Sequence, residues 1–324
     1  MIHEFAAGSD LLHIGLITYN RAAKLERTLA ALARSSLRMC RITIYDNTST
    51  DNTPEVVSRH VGSFPRLESV RRHRNIGACG NLIAAIADSK ATYCWILCDD
   101  DLLDAEACDT ILPELCKNEA DVLLINAIGL EGFTEGYRGS LRDLQEKGWR
   151  YYWLAAFLPS TIYRTSLISD SVIRRMQRHI HDAYPHAELA YAFSMGNARA
   201  VVCASKIMER QASNDIGTDW VAYTCGWTRS IEHFADREEQ VRAFWQRFGP
   251  PENWWKITMK SAGYIYAYHG AKRFEILALF PTFPWKARIF CSPLVLLLFI
   301  PRPLLRFFGR TIKPDAKVEH NRLD

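Results

Sequence analysis

The sequence predicts an α/β fold in which helices flank a mostly parallel sheet. Over the first 125 residues, short apolar runs typical of strands alternate with segments whose apolar residues recur at helical spacing. Strands separated by helices pair in parallel through right-handed crossovers. Polar clusters follow four of the predicted strands, and the carboxyl ends of parallel strands are where such sheets bind ligands.

Each predicted element has a local basis in the sequence. The strands are short and apolar, and we expect them at Leu11–Ile17, Ile42–Tyr45, Leu67–Val70, Tyr93–Leu97 and Val122–Ile125. The helices carry apolar residues on one face, and we expect them at Arg21–Arg34, Asn81–Ala87 and Ala105–Cys116. Thr53 and Pro54 suit the N-cap and first position of another helix. Further on, Tyr151–Phe157 and Ser160–Tyr163 are strand-like, and Ser166–His181 is helix-like.

Composition excludes several classes of protein. The net charge of +4 is too small to indicate nucleic-acid binding. Nine cysteines without a CxxC motif indicate reduced thiols. The first 20 residues lack the basic start and long apolar run of a secretory signal, so we expect a cytoplasmic protein.

Three adjacent carboxylates, Asp99, Asp100 and Asp101, follow the apolar strand Tyr93–Leu97. Adjacent like charges repel, and burying them is costly. A hard divalent cation such as Mn²⁺ or Mg²⁺ removes that cost, because it prefers carboxylate oxygens. The alternative is a solvated acidic turn at the start of the next helix.

Four motifs together resemble the inverting glycosyltransferases of family 2, which have a GT-A, Rossmann-like fold. The motifs are LITYNR, IYDNTSTDNT, RNIGACGN and CDDD, and the resemblance covers roughly Leu11 to Ile125. The sub-pattern DNTSTD, NIGACGN and CDDD is similar to bacterial O-antigen and capsule enzymes, including the abequosyltransferase-like group. It implies a hexosyl- or deoxyhexosyltransferase with a nucleotide-sugar donor.

The resemblance implies a role for each matching residue. Asp101 would be the principal metal ligand, Asp99 a ribose contact and second metal ligand, and Asp100 a contact to donor or metal. Glycines at 77 and 80 would allow close backbone approach to the nucleotide. The remaining donor contacts would be Thr18, Tyr19, Asn20, Arg21, Asp46, Arg74, Asn75, Gly77 and Asn81.

An inverting transfer also needs a general base to deprotonate the acceptor hydroxyl. The family usually carries an Asp base in an ED-x-DL-like segment, and the matching residues Pro185–Leu189 place His186 there. Histidine departs from the pattern but is competent, with a reference pKa of about 6.5. Glu188 is the rival candidate, and Asp182 is a third.

We expect residues 1–215 to form the catalytic domain, with a nucleotide-binding half (1–125) and an acceptor half (126–215), and residues 216–324 to be helical. Basic and aromatic residues surround a short apolar run in segment 280–313, which is typical of a segment at a membrane surface. The run Leu294–Ile300 is too short to cross a bilayer, which takes about 20 residues. The alternative is a helix packed on the catalytic domain.

The sequence therefore predicts a metal-dependent inverting glycosyltransferase, peripheral on the inner face of the cytoplasmic membrane. Its acceptor would be a glycan or lipid-linked glycan of the bacterial surface. UDP is the default nucleotide, with CDP or dTDP as alternatives. Two other functions stay open, a nucleotidyltransferase and a catalytically inactive nucleotide-sugar-binding protein.

Overall fold

A computed structural model describes residues 8–126, 136–147, 157–178, 180, 185–203, 206–209, 289, 299–301 and 303. The described residues up to 209 all belong to one of the two compact units into which the chain divides. The predicted domain boundary at 215, Asp182 and most of segment 280–313 lie outside the described residues, so those assignments stay predictions.

Ten strands and nine α-helices occur in the described part of the chain. The strands are β1 Leu12–Thr18, β2 Arg41–Asp46, β3 Leu67–Arg71, β4 Tyr93–Cys98, β5 Leu102–Leu103, β6 Val122–Ile125, β7 Arg138–Ser140, β8 Thr161–Arg164, β9 Arg199–Cys203 and β10 Met208–Glu209. The helices are α1 Gly8–Leu11, α2 Ala22–Arg34, α3 Thr53–His60, α4 Gly77–Ala87, α5 Ala105–Cys108, α6 Ile111–Cys116, α7 Leu141–Glu146, α8 Asp170–Arg178 and α9 Ala187–Met195.

Eight strands form one sheet in the order β3-β2-β1-β4-β8-β6-β9-β7. β1 pairs in parallel with both β2 and β4, and β2 pairs in parallel with β3. β8 and β7 run antiparallel to their neighbours. The prediction of a mostly parallel sheet is confirmed. The strand order reverses between β1 and β4, so a crevice opens at their carboxyl ends.

Two hydrophobic cores cover the faces of the sheet. Leu12, Ile14 and Leu16 of β1 are fully buried with leucines of helix α2, which explains the helical leucine spacing in the sequence. Helix α4 packs on the other face, where Gly15 lets it approach closely. A Cβ at Gly15 would lie 2.7 Å from Ile96 Cδ1 and 3.6 Å from the Cβ of Ala85.

Some local predictions were wrong in detail. The predicted helix Ala105–Cys116 is two short helices, because Pro113 has no amide hydrogen to donate to the carbonyl oxygen of Asp109 and a continuous helix needs that bond. Helix α3 begins at Thr53 rather than being capped by it. The carboxylate of Asp51 accepts from the Thr53 amide at 3.1 Å and takes the capping role. Residues 151–156 of the predicted strand Tyr151–Phe157 lie outside the described residues.

Every cysteine in the described ranges is a free thiol, as the absence of a CxxC motif predicted. Within those same ranges, no helix combines the length and apolar character needed to cross a membrane.

Candidate active site

Four polar loops meet at the carboxyl edge of the sheet. They follow β1, β2, β3 and β4, which are parallel and adjacent in the order β3-β2-β1-β4. They contain the motifs TYNR, DNTSTD, RHRNIGACGN and DDD. The expectation that these motifs share one edge is therefore confirmed.

Hydrogen bonds tie the carboxylate of Asp99 to the neighbouring strand. The Thr18 hydroxyl donates to Asp99 Oδ2 at 2.7 Å, and Arg21 Nη1 donates to Oδ1 at 3.2 Å. Thr18 ends β1, and Asp99 directly follows β4. The bond thus crosses the switch point between the two strands, and it holds a side chain that is only 2% exposed.

The other two carboxylates of the acidic loop, residues 99–101, have different partners. Asp100 Oδ2 accepts from Arg21 Nη1 at 2.9 Å and lies 3.8 Å from Lys24 Nζ. Asp101 is buried, and its Oδ2 accepts from the backbone amide of Cys98 at 2.7 Å. Asp100 is the most exposed of the three carboxylates.

Helix α2 holds the acidic loop through one row of side chains. Arg21, Lys24 and Thr28 are spaced three and four residues apart, so they project from the same side of the helix. The buried Thr28 hydroxyl lies 3.0 Å from the carbonyl oxygen of Asp99 and 3.1 Å from that of Asp101, and it donates to both. Backbone and carboxylates of the loop are therefore fixed by the same helix.

The electrostatics of the loop favour a cation. Burial raises the pKa of Asp99 to about 6, against opposing hydrogen bonds from Thr18 and Arg21. Burial raises the pKa of Asp101 well above its usual range, and the neighbouring carboxylates add to the effect. A positive charge beside these groups would favour their ionised forms.

The loops after β1 and β2 are joined to each other. Asn20 adopts a left-handed backbone conformation with φ of 52°, and its side-chain oxygen accepts from the Thr50 amide at 2.7 Å. The Asn20 amide donates to Ser49 Oγ at 2.9 Å. Asp51 accepts from the amide of Ala22 at 3.0 Å, which caps helix α2 from the neighbouring loop. The side chain of Tyr19 is left 43% exposed at this edge.

Asp46 is buried at the end of β2, beside Thr18 in the register of the sheet. Its Oδ1 accepts from the Ser49 amide at 2.8 Å, and its Oδ2 lies 3.8 Å from Arg71 Nε. Arg71 also donates to the carbonyl oxygen of Ser49 at 2.7 Å. Asp46 therefore shapes the turn that follows β2 as well as bordering the crevice.

The turn between β3 and α4 carries the other predicted donor contacts. Asn75 Oδ1 accepts from Asn47 Nδ2 and from the Gly77 amide, both at 2.8 Å. Gly77 has φ of 77°, a conformation that favours glycine. Arg74 is exposed.

Asn81 is placed differently from these exposed residues. It is buried and donates to the carbonyl oxygen of Tyr45 at 2.7 Å, while its Oδ1 accepts from Arg72 Nε at 3.2 Å. Gly80 is also buried, and a Cβ there would lie 3.3 Å from Ile76 Cγ1. These contacts give Asn81 and Gly80 packing roles in the first turns of helix α4.

The residues that directly follow the acidic loop are hydrogen-bonded to a segment that lies far along the sequence. Directly after Asp101, strand β5 pairs antiparallel with β10. The amide of Asp104 donates to the carbonyl oxygen of Ile207 at 2.9 Å. Asp104 then caps helix α5 by accepting from the Ala107 amide at 3.1 Å.

The candidate bases lie at the start of helix α9 rather than in the four loops. His186 occupies the N-cap position and is 8% exposed. Glu188 is buried, and its Oε2 accepts from Arg175 Nε of helix α8 at 2.8 Å. Helices α8 and α9 share the second hydrophobic core with helix α4.

Sequence reasoning missed four side chains that shape these sites, namely Lys24, Thr28, Asp51 and Arg175. Helical spacing from Arg21 could have suggested Lys24 and Thr28, since residues at i, i+3 and i+7 share a face. Asp51 stands in the quoted motif DNTSTD. The link between Arg175 and Glu188 has no sequence signal, because it depends on how two helices pack.

The acidic loop fits a cation that takes few protein ligands. Among the described residues, no three His, Cys, Asp or Glu side chains converge closely enough to hold a metal ion by themselves. In nucleotide sites, however, Mg²⁺ keeps waters and binds one or two carboxylates together with substrate phosphates. One or two of the carboxylates of Asp99, Asp100 and Asp101 would be enough for that arrangement.

The model of the family Glycosyl transferase family 2 matches residues 14–178, just over half of the chain. No curated protein sequence matches the chain significantly.

Solved structures share the fold. Residues 1–349 of TarS from S. aureus have 17% identity and a TM-score of 0.51, over 73% of this chain and 69% of that chain. The same fragment in complex with UDP gives 18% identity, a TM-score of 0.51 and the same coverage. The complex with UDP-GlcNAc gives 17% identity and a TM-score of 0.51, over 73% and 70%.

Replacing Thr28 by valine should loosen the acidic loop. The change keeps the shape of the side chain but leaves the carbonyl oxygens of Asp99 and Asp101 without their donor, so we expect a loss of about 1–3 kcal/mol in unfolding free energy. Urea denaturation of the variant and of wild type measures this difference in unfolding free energy. Thr28→Ser is the control, since it keeps the hydroxyl and loses one methyl group, worth about 1 kcal/mol. Equal unfolding free energies for Thr28→Val and wild type would contradict the role of Thr28 in holding the acidic loop.

Proposed function

Because the chain belongs to glycosyl transferase family 2, we propose that it is a metal-dependent, inverting enzyme of bacterial surface-glycan synthesis. The eight-stranded mixed sheet with its flanking helices is the GT-A-like fold, and the chain is a glycosyltransferase that uses nucleotide sugars. The observation that carries the proposal is the cluster of buried carboxylates at the switch point between β1 and β4.

The donor nucleotide binds along the carboxyl edge in this proposal. Exposed Tyr19 and Arg74 border the edge from the loops after β1 and β3, and each offers a flat surface for a base. Asp46 lies beside Thr18 and is the carboxylate that would meet the ribose or the base. UDP is the default nucleotide, a choice that the UDP and UDP-GlcNAc complexes of TarS support, with CDP and dTDP as alternatives.

Asp101 is the principal metal ligand in this proposal, with Asp99 and Asp100 as its neighbours. When bound, Mn²⁺ or Mg²⁺ neutralises charge on the departing diphosphate. The chain supplies the rest of the binding site. Thr18 orients Asp99, and the amide of Cys98 orients Asp101.

His186 is the proposed general base. It would take the proton from the acceptor hydroxyl as that oxygen attacks the anomeric carbon from the face opposite the leaving diphosphate, which inverts the configuration. Glu188 is a weaker candidate, because its Oε2 already accepts from Arg175 in the packing of α8 against α9. Glu188 would instead hold the start of helix α9 and thereby position His186.

The proposed acceptor is a hydroxyl of a growing, lipid-linked glycan. The sequence feature that supports it is the mixture of basic and aromatic residues in segment 280–313, which would place the enzyme at the inner surface of the cytoplasmic membrane. An acceptor anchored in that membrane would then meet the catalytic domain at its surface.

A screen of nucleotide sugars tests the donor and metal assignments together. A ligand that binds only the native state raises the melting temperature, so the true donor should do so in the presence of Mn²⁺ and lose most of that effect in EDTA. Asp101→Asn should abolish both the Mn²⁺ dependence and transfer, while retaining the fold. Full transfer in EDTA would contradict the metal requirement. Binding of a donor without transfer to any glycan would instead favour an inactive binding protein.

Replacing the base should slow transfer without weakening donor binding. We expect His186→Ala to lower kcat by roughly 10²–10⁴-fold, the usual contribution of a general base, with little change in the Kd of the nucleotide. Glu188→Gln keeps an acceptor for Arg175 and should have a smaller effect. In wild type, activity should fall on the acid side at about pH 6–7, as imidazole becomes protonated. A large loss for Glu188→Gln with a near-normal His186→Ala would assign the role to Glu188.

Removing residues 280–324 should release the enzyme from membranes. Sedimentation with vesicles of anionic lipid measures the bound fraction, which should fall from most of the protein to a minor part. Replacing Arg302, Arg306 and Arg310 by Gln should weaken binding without removing the apolar run. Undiminished sedimentation of the truncated chain would place the anchor elsewhere, and unfolding would identify the segment as core.

A further inference from the structure

Arg21 contacts the same carboxylates that a divalent cation would bind. Its Nη1 atom is 3.2 Å from Asp99 Oδ1 and 2.9 Å from Asp100 Oδ2. Lys24 Nζ adds a second positive charge at 3.8 Å from Asp100 Oδ2. Two of the three carboxylates are thus already neutralised by the protein itself.

The contact of Arg21 with the acidic loop is one that a bound cation could replace. Both hydrogen bonds use the single nitrogen Nη1, so the guanidinium does not engage a carboxylate through two parallel bonds, its strongest mode. The side chain is 38% exposed. Asp99 is buried, so its carboxylate would still need a positive partner once Arg21 left, and a bound cation would supply one.

Release of Arg21 would leave the acidic loop in place. Thr28 holds the loop backbone through the carbonyl oxygens of Asp99 and Asp101, and Thr18 holds Asp99 Oδ2. None of these contacts passes through the guanidinium. The backbone of Arg21 is held separately, because its carbonyl oxygen accepts from the amides of Lys24 and Leu25, both at 3.0 Å.

We propose that Arg21 is an internal counter-ion of the acidic loop, which leaves Asp99 and Asp100 when a divalent cation binds them and then pairs with the diphosphate of the donor. The inference rests on the proposed function and adds a second role to Arg21. Before the donor arrives, the guanidinium limits repulsion among the carboxylates. Afterwards it pairs with oxyanions, for which its planar group is well suited.

Removing the charge of Arg21 should change two affinities in opposite directions, that for the cation and that for the nucleotide diphosphate. Removing the charge of Arg21 should tighten binding of the cation, because a competitor for the carboxylates is gone. The same change should weaken binding of the nucleotide diphosphate, because a partner of the phosphates is gone. A purely structural role would weaken both.

The experiment compares wild type with Arg21→Gln. Binding of Mn²⁺ alone is measured by counting free Mn²⁺ with electron paramagnetic resonance, and binding of UDP, CDP, GDP and dTDP is measured by calorimetry at saturating Mn²⁺. We expect Arg21→Gln to tighten Mn²⁺ binding roughly 5- to 20-fold and to weaken binding of the preferred nucleotide by about tenfold. Arg21→Lys keeps the charge, so its affinity for Mn²⁺ should lie between those of wild type and Arg21→Gln.

Arg34→Gln is the matched control. It removes the same charge from the same helix, about 20 Å along the axis, where the residue is exposed, and should change neither constant by more than about twofold. Unchanged or weaker Mn²⁺ binding in a folded Arg21→Gln protein would overturn the proposal, as would equal tightening in Arg34→Gln. Failure of wild type to bind Mn²⁺ or any nucleotide would overturn the proposed function as well.

Discussion

The hydrogen bond from the Thr18 hydroxyl to Asp99 joins the ends of two strands that are adjacent in the sheet but 81 residues apart in sequence. It satisfies a buried carboxylate at the place where the strand order reverses. A buried carboxylate without such partners would cost several kcal/mol or lose its charge. The position of the acidic loop therefore depends on β1 and β4 pairing in the observed register, which places both ends at one edge.

Helix α2 links this site to the hydrophobic core. Leu25, Leu29 and Leu32 pack one side of the helix into the core beneath β1. On the row that faces the acidic loop, Thr28 holds the loop backbone and Arg21 its carboxylates. Because both sets of contacts fix the same helix, a shift along its axis would lose packing and site geometry together. The rigidity needed to place charges at a reacting diphosphate thus comes from ordinary burial of leucine side chains.

The region assigned to the acceptor is built by different elements. Helices α8 and α9 pack in the second core, and the ion pair between the partly exposed Arg175 and the buried Glu188 holds them together. Such a pair costs desolvation, so its value lies in fixing one arrangement of the helices more than in added stability. His186 is the N-cap residue of helix α9, so its position depends on that arrangement of the helices. Helices α8 and α9 therefore share a packing layer with helix α4, which follows the turn that carries Asn75.

Local sequence patterns were enough to predict the alternation of strands and helices, a mostly parallel sheet and the common edge of the four motifs. Those features follow from local periodicity and from the handedness of crossovers, which the chain carries in every segment. The partners of two buried carboxylates depend on how the elements pack: Thr18 for Asp99 and Arg175 for Glu188. The Arg175 and Thr18 contacts join residues of different elements, so they depend on register, helix rotation and side-chain direction, which no local pattern specifies. The break within the predicted helix Ala105–Cys116 is the opposite case, because a local residue accounts for it: Pro113 has no amide hydrogen to donate to the carbonyl oxygen of Asp109.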